Sequence, residues 1–408
     1  MPKIQIRRDT AANWKTNNPT LLQGELALET DERKMKIGDG TTDYNNLSYT
    51  NIADEWQKPA DWVDIRSGAL ENSVYILVGH SADYSTYPTF KILVKSQNQT
   101  YYDVYVDGVK YATNAQNTST TIDFQTLALA SGWDVTTPQA LHTHIIRVTP
   151  SSTNTIIRFS VQEQCGLLWL HSTLSNTIDA YQWFGTGKVP LLQAITTDQP
   201  TLKINSTYPS SMFDNCDSLV SVPTIEWEGA AGTQSCYKMI ANNAAIKKLS
   251  FKNLLAHGDS VWYNPNLEEI KCENSYFTPH IHNNDKLKRF PPFQYKSTVT
   301  EVQLHNNPAI ENATLDFSSF ANTTRVRCQN TPGIKGLTVS SSAPFDGASP
   351  QINVSYTGLA RAALVTLFNS MPTVNAGQVC NISHATGAAD LTAEDLAIAT
   401  NKGWTVTR

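Results

Sequence analysis

Two His-x-His pairs, His142/His144 and His280/His282, are the residues best spaced for chemistry. On a strand, side chains at i and i+2 leave the same face, so each pair could offer two imidazoles to one metal ion. Neither pair has a cysteine or carboxylate close by in sequence, so the ordinary reading is histidines on the solvent side of a β surface, and no metal or other cofactor is expected. Glycoside cleavage would need two carboxylates facing each other across roughly 5–10 Å. Glu226, Glu228, Glu268, Glu269, Glu301 and Glu311 are candidates only by residue type, and the adjacent Glu268 and Glu269 would leave a strand on opposite faces. No G-x-S-x-G, P-loop or H-E-x-x-H pattern is present, so the chain is not expected to be an enzyme. The run Asp39-Gly40-Thr41-Thr42-Asp43 lacks the alternating carboxylates and distal Glu of a calcium loop. Cys165, Cys216, Cys236, Cys272, Cys328 and Cys380 lie far apart with no C-x-x-C pair, which points to buried, reduced thiols.

The elements that would position these residues are mostly strands. Of 408 residues only 16% are charged, against about 25% in an average soluble domain, while aromatics stand at 9%. Asn, Thr, Ser and Tyr fill the gap, as suits β-rich surfaces with many turns. The length suggests two to four domains. A net charge of −5 without a Lys/Arg cluster argues against nucleic acid as a partner. No apolar run reaches the roughly 18–20 residues that would insert across a bilayer, and the first residues, Met1-Pro2-Lys3-Ile4-Gln5, have no apolar secretory segment.

In residues 1–55, Ile4 to Arg8 alternates, Asp9 or Thr10 can cap a short helix through Trp14, and Gly24 to Thr30 and Lys34 to Gly38 alternate again around a turn. One helix and one hairpin are too small to bury a core alone, so this segment is expected to self-associate. The run Ile4-Gln5-Ile6-Arg7-Arg8-Asp9-Thr10-Ala11-Ala12-Asn13-Trp14, with Gly24-Glu25 and Lys36-Ile37-Gly38-Asp39-Gly40, resembles the N-terminal module of bacteriophage fibre proteins, including tail fibres and hyaluronidase-type fibres. It covers about an eighth of the chain, and Tyr44 matches the family's usual aromatic after the turn, with Leu47 following. The resemblance implies a virion-proximal, usually trimeric attachment module, carried here by Ile4, Ile6, Arg7, Arg8, Trp14, Leu26, Leu28 and Ile37. Through the hyaluronidase-type members it also raises a polysaccharide-degrading alternative.

Residues 56–200 read as an antiparallel β-sandwich. Val74–Gly79, Phe90–Lys95, Tyr101–Val106, Val109–Ala112, His144–Val148 and Thr155–Val161 are strand-like, and Asp107-Gly108 marks a tight hairpin. This segment also resembles a region of fibre proteins from gut bacteriophages, crAss-like ones among them.

From residue 201 the chain repeats. Asn215, Asn242, Tyr263, Asn283, Asn306 and Asn330 each lead, four residues later, to Leu219, Ile246, Leu267, Leu287, Ile310 and Ile334, with further apolar positions after them and starts 20–27 residues apart. That is the period and pattern of a leucine-rich-repeat solenoid, with the lead Asn bonding to backbone where each coil turns. A C-terminal α/β cap is expected: a strand at Ile352–Ser355, a helix capped by Thr357, a strand at Val379–Ile382, a helix opened by the Thr392/Asp395 pair and a last strand at Trp404.

The expected architecture is mainly β and multidomain: an oligomerising module at 1–55, a sandwich at 56–200, and an irregular leucine-rich-repeat solenoid with its cap at 201–408. The expected role is a phage virion fibre, on the tail or on the head, a homo-oligomer and by resemblance a trimer. It would be made in the host cytoplasm, attach to other virion proteins and present the repeats to a bacterial surface glycan or protein. A cellular leucine-rich-repeat adhesion protein is the alternative from another class.

Overall fold

The computed structural model describes residues 7–31, 35–47, 49–50, 56–96, 101–114, 118–133, 141–151, 157–175, 178–179, 184, 189–205, 210–228, 234–294, 299–346, 349–375 and 377–408. The chain separates into two units, Met1–Asp61 and Trp62–Arg408.

In the first unit Thr10, not Asp9, caps the helix Ala11–Asn17, its hydroxyl accepting the Asn13 amide at 3.2 Å. The sheet has four strands rather than a lone hairpin, in the order Arg7–Asp9, Leu26–Glu29, Met35–Ile37, Tyr49–Thr50, the first pair parallel. A small core does form within one copy: Trp14, Leu21, Ala27 and Tyr44 are buried, and Trp14 stacks on Tyr44 at 4.9 Å. The module closes over the Ala27 face of the sheet, so Glu29 and Lys36 are buried while Leu26 and Leu28 are only half-buried. Tyr44 donates to the Glu29 carboxylate at 2.7 Å, and the Lys36 ammonium donates to the Tyr44 carbonyl at 2.8 Å. Two buried charges are tolerated because each has close polar partners.

The second unit opens with two sheets. One runs Ala194–Thr197, Leu167–Ser172, Val74–His80, His142–Pro150, Tyr102–Val106, Val109–Asn114. Val74–His80 is central and buried on both faces, whereas His142–Pro150 alternates between buried and half-buried residues. Asp107 and Gly108 both take positive φ (47° and 82°), which the tight primed turn between the last two strands requires. The other sheet begins antiparallel, with Thr118–Asp123, Thr89–Ser96 and Ile157–Val161, and then turns parallel through Ile178–Asp179, Leu202–Ile204, Ile225–Trp227, Lys248–Lys252 and Glu269–Glu273. One sheet and one hydrophobic core therefore pass from the sandwich into the coils.

The rest is a β-solenoid of stacked coils. A second wall of parallel strands runs Phe213–Asp214, Ile240–Ala241, Val261–Trp262, Ile281–His282. It is succeeded by Glu301–Gln303, Arg325–Arg327, Ile352–Asn353, Gln378–Asn381 and Trp404–Thr407, also parallel, with His280 bridging to Gln303. All six lead residues sit in the left-handed region, with φ of 57° at Asn215 and Asn242, 54° at Tyr263, 59° at Asn283, and 56° at Asn306 and Asn330. Tyr356 (56°) and His384 (59°) share that conformation, so two further coils extend into what the sequence suggests is only a cap. The six residues four places on, Leu219, Ile246, Leu267, Leu287, Ile310 and Ile334, all point into the core. Coils approach so closely that a Cβ at Gly333 would lie 1.7 Å from the Ile310 carbonyl oxygen.

The side chains that stitch the coils lie one residue beyond the leads. Asn243, Asn264, Asn284 and Asn307 are fully buried. The amides of Asn243, Asn264 and Asn284 donate to the side-chain oxygens of Asn264, Asn284 and Asn307, each at 3.2 Å, and Thr331 ends the run at 3.3 Å from the Asn307 amide. At the C-terminus, the Thr357 hydroxyl does not cap the helix Arg361–Ser370. It donates to the Val354 carbonyl at 2.6 Å, because it sits at a ladder position. Thr392 and Asp395 do form a reciprocal capping box on Ala393–Thr400. Among the described residues no helix is long and apolar enough to cross a membrane.

Asn284→Ala strands the Asn264 amide inside the core and is expected to cost about 2–3 kcal/mol in urea unfolding of the full chain. Ser319→Ala on an exposed turn should stay within about 0.5 kcal/mol.

Candidate functional site

The attachment residues named from sequence divide four ways. Ile4 and Ile6 lie outside the described residues. Trp14 is core, its indole donating to the Leu28 carbonyl at 3.1 Å, and the Arg7 guanidinium lies 5.2 Å over its ring while pairing with Glu25 at 3.1 Å. Arg8 is exposed. Leu26 pairs with Ile37 and Leu28 with Met35, which sets all four on the face opposite Ala27 and Lys36. Ile37 is 41% exposed and the other three are half-buried, so this apolar sheet face is only partly covered among the described residues. The neighbouring Asp39 carboxylate is fully engaged by its own turn. It accepts from Thr41 and Thr42 amides at 2.9 and 2.7 Å and from the Thr42 hydroxyl at 2.6 Å, bonds that hold it far below the usual carboxylate range.

The first histidine pair is buried, not solvent-facing. His142 and His144 share a face of their strand, and His80 on the adjacent strand lies opposite His142. The Nε2 atoms of His80 and His144 are 3.2 Å apart, His144 Nδ1 is 2.8 Å from the Asp107 carboxylate, and His144 stacks on Trp133 at 3.8 Å. Burial pulls His80 below the ordinary histidine value, opposed by the Ser81 carbonyl at its Nδ1. Among the described residues no group of three or more His, Cys, Asp or Glu is arranged to hold a metal ion.

The second pair projects from the outer side of the solenoid wall but is not solvent-facing either: His280 is half-buried and His282 buried. Val302, Leu304, Val326 and Cys328 point into the core, so Gln303, His305, Arg325, Arg327 and Gln329 project the other way. His282 stacks on His305 at 4.7 Å and 9°, and Trp262 lies 5.6 Å from His282 with Tyr263 beside it. His280 lies 2.6 Å from the Asp259 carboxylate and 2.7 Å from the Glu301 carbonyl. The His280 ring holds the Asp259 carboxyl below its usual range against the opposing effect of burial. Burial, helped by the Arg327 charge, lowers His282 to about 4 and His305 to about 3. Burial and then Arg325 pull Arg327 down as well.

The candidate carboxylates mostly tie one coil to the next. Glu226 pairs with Lys252 at 3.0 Å, Glu228 with Lys203 at 2.6 Å, Glu268 with Lys288 at 3.2 Å and Glu301 with Arg325 at 3.7 Å. Glu269 and Glu311 are exposed. All six cysteines are free thiols, five buried and Cys272 half-buried; burial raises Cys236, Cys272, Cys328 and Cys380 to about 12.

Residues 4–42 match the family model of the major tropism determinant N-terminal domain, about a tenth of the chain. The match supports a phage tropism or fibre-type protein and suggests association with the virion. No curated protein matches the chain, and no solved structure does.

Sequence reasoning missed His80, which joins its partners only through strand pairing, and the buried Asn ladder. The signal for the ladder was present in the doublets Asn242-Asn243, Asn283-Asn284 and Asn306-Asn307.

His282 and His305 stay neutral in the fold down to about pH 4 and 3, but in the unfolded chain they take up protons near their ordinary 6.5. Their contribution is therefore intact above pH 6.5 and lost as pH falls from there toward 4, by at most about 1.4 kcal/mol per histidine per pH unit. Urea midpoints measured from pH 7 to 4 should fall, and the doubly substituted His282→Gln/His305→Gln chain should show a shallower fall.

Proposed function

We propose that the protein is a non-enzymatic phage virion fibre, anchored by its N-terminal module and presenting its coils to the bacterial surface. The observation that carries this reading is the match of residues 4–42 to a phage tropism module, combined with the partly exposed apolar sheet face of that same module. A strip of Leu26, Leu28, Met35 and Ile37 left half-open to water is what a self-complementary contact would cover. The occupant is a second and third copy of the chain, as in phage fibres. Arg8, paired in register with Leu28, borders it and would face either neighbouring copies or other virion proteins of the tail or head, whereas Arg7 lies on the opposite face over Trp14.

Residues 56–200 serve in this reading as shoulder or stalk, and residues 201–408 as a leucine-rich-repeat-type adhesion segment. The 20–27-residue coil spacing and the Asn ladder support that repeat class. The ligand is a bacterial surface glycan or protein, and binding rather than bond cleavage is the function: the carboxylates Glu226, Glu228, Glu268 and Glu301 serve as inter-coil ion pairs.

Full-length Leu26→Asp/Ile37→Asp is expected to sediment as a monomer where the parent sediments as an oligomer, with unchanged circular dichroism; a monomeric parent would refute the assembly. Immunogold labelling of virions should decorate the tail or the head, and label on neither would overturn the fibre reading.

A further inference from the structure

Several polar atoms on the outward wall of the solenoid are buried yet unmatched. Trp262 Nε1, Arg325 Nε, Arg327 Nε, His305 Nδ1 and Gln329 Oε1 have no hydrogen-bond partner among the described residues. His305 itself is only 7% exposed. Each such atom costs on the order of 1–3 kcal/mol unless something outside the fold satisfies it. They are gathered by the coil stacking: Gln303 pairs in register with Arg327, Glu301 with Arg325, and His280 bridges to Gln303. The Arg327 guanidinium is already aimed by a bond from Nη2 to the Gln303 side-chain oxygen. Beside them stand the Trp262 and His282 rings, and Tyr263, half-exposed.

We propose that this face, around Trp262, His282, His305, Arg325 and Arg327, is a binding site for a saccharide bearing a carboxylate, such as a uronic or sialic acid unit. The unmatched donors, two of them on guanidinium groups, call for an acceptor-rich anionic ligand, and a planar carboxylate suits a guanidinium fork. Asp259 and Glu301 border the site, so a singly charged group is better tolerated than a doubly charged phosphate. The mixture of free donors with the free Gln329 acceptor suits sugar hydroxyls, which do both. The exposed Tyr263 and the Trp262 ring supply an apolar platform at the rim. The site deepens the adhesion reading of the coils and rests on it for its biological meaning, not for its chemistry.

The test is titration calorimetry of the full chain with tetragalacturonate and trisialic acid, against galactotetraose as the neutral counterpart and tetraglutamate as a peptide carboxylate. At least one acidic saccharide is expected to bind, tenfold or more tighter than galactotetraose, and to weaken with added salt. Arg327→Gln should lose about tenfold or more. Trp262→Phe, which keeps an aromatic ring but replaces the indole and so removes its N–H, should lose about two- to tenfold. Both variants must keep the parent circular dichroism and unfolding midpoint to be scored. Arg325→Lys replaces Arg327→Gln if the latter fails to fold, with a comparable loss expected. Binding of neither acidic saccharide, equal binding of galactotetraose or tetraglutamate, or undiminished binding by folded variants would each overturn the site. If the parent adheres to host cells and Arg327→Gln adheres equally, the site fails and the fibre reading stands. If the acidic saccharide binds but virions carry no label, the fibre reading fails and the site stands.

Discussion

The left-handed corner that ends each strand of the solenoid wall is the constraint on which the coils depend. A residue with a Cβ spends roughly 1–2 kcal/mol to sit there, and Asn is among the few that do so readily. The cost is offset because the corner turns the lead residue's own amide onto the carbonyl before the next lead. Asn283 donates to His305, Asn306 to Gln329 and Asn330 to Ser355 at 2.9–3.1 Å. The residue just past the corner is then driven into the core, where only a side chain that both donates and accepts can satisfy the backbone of the neighbouring coil. Asn243, Asn264, Asn284 and Asn307 meet that demand in sequence.

The same stacking decides what the wall presents. Strand alternation sends Val302 and Val326 inward and Gln303 and Arg327 outward, and parallel in-register pairing aligns the outward residues of successive coils into columns. Residues some 20–27 positions apart thus become neighbours, as His282 and His305 do. Ion pairs follow the same columns: Glu226, Glu228, Glu268 and Glu301 are each matched by a Lys or Arg one coil away.

In the first unit the alternation works in reverse. The face that the helix and the Tyr44 turn cover holds Ala27, Glu29 and Lys36, and the outward face holds Leu26, Leu28 and Ile37. Tyr44 bonds to both buried charges beside the Trp14, Leu21 and Ala27 core, and the part-open outer face is what the proposed assembly would bury.

Much of this was written locally. Lead residues at Asn215 through Asn330, the apolar residues four places on, the Asp107-Gly108 hairpin and the Thr392/Asp395 box depend on turn chemistry and short-range periodicity, which a linear reading detects. Other features were decided only when distant segments met. Thr357 bonds within a coil instead of capping a helix, Tyr356 and His384 extend the coils, and His80 completes the cluster with His142 and His144. The inward choice of Glu29 over Leu28 and the gathering of Trp262, His305 and Arg327 onto one face belong to this second group as well. The physical reason is that residue type and spacing determine which backbone turns and strand faces are possible, whereas the neighbour across a sheet or coil determines which face is covered and which polar atoms the fold leaves unmatched.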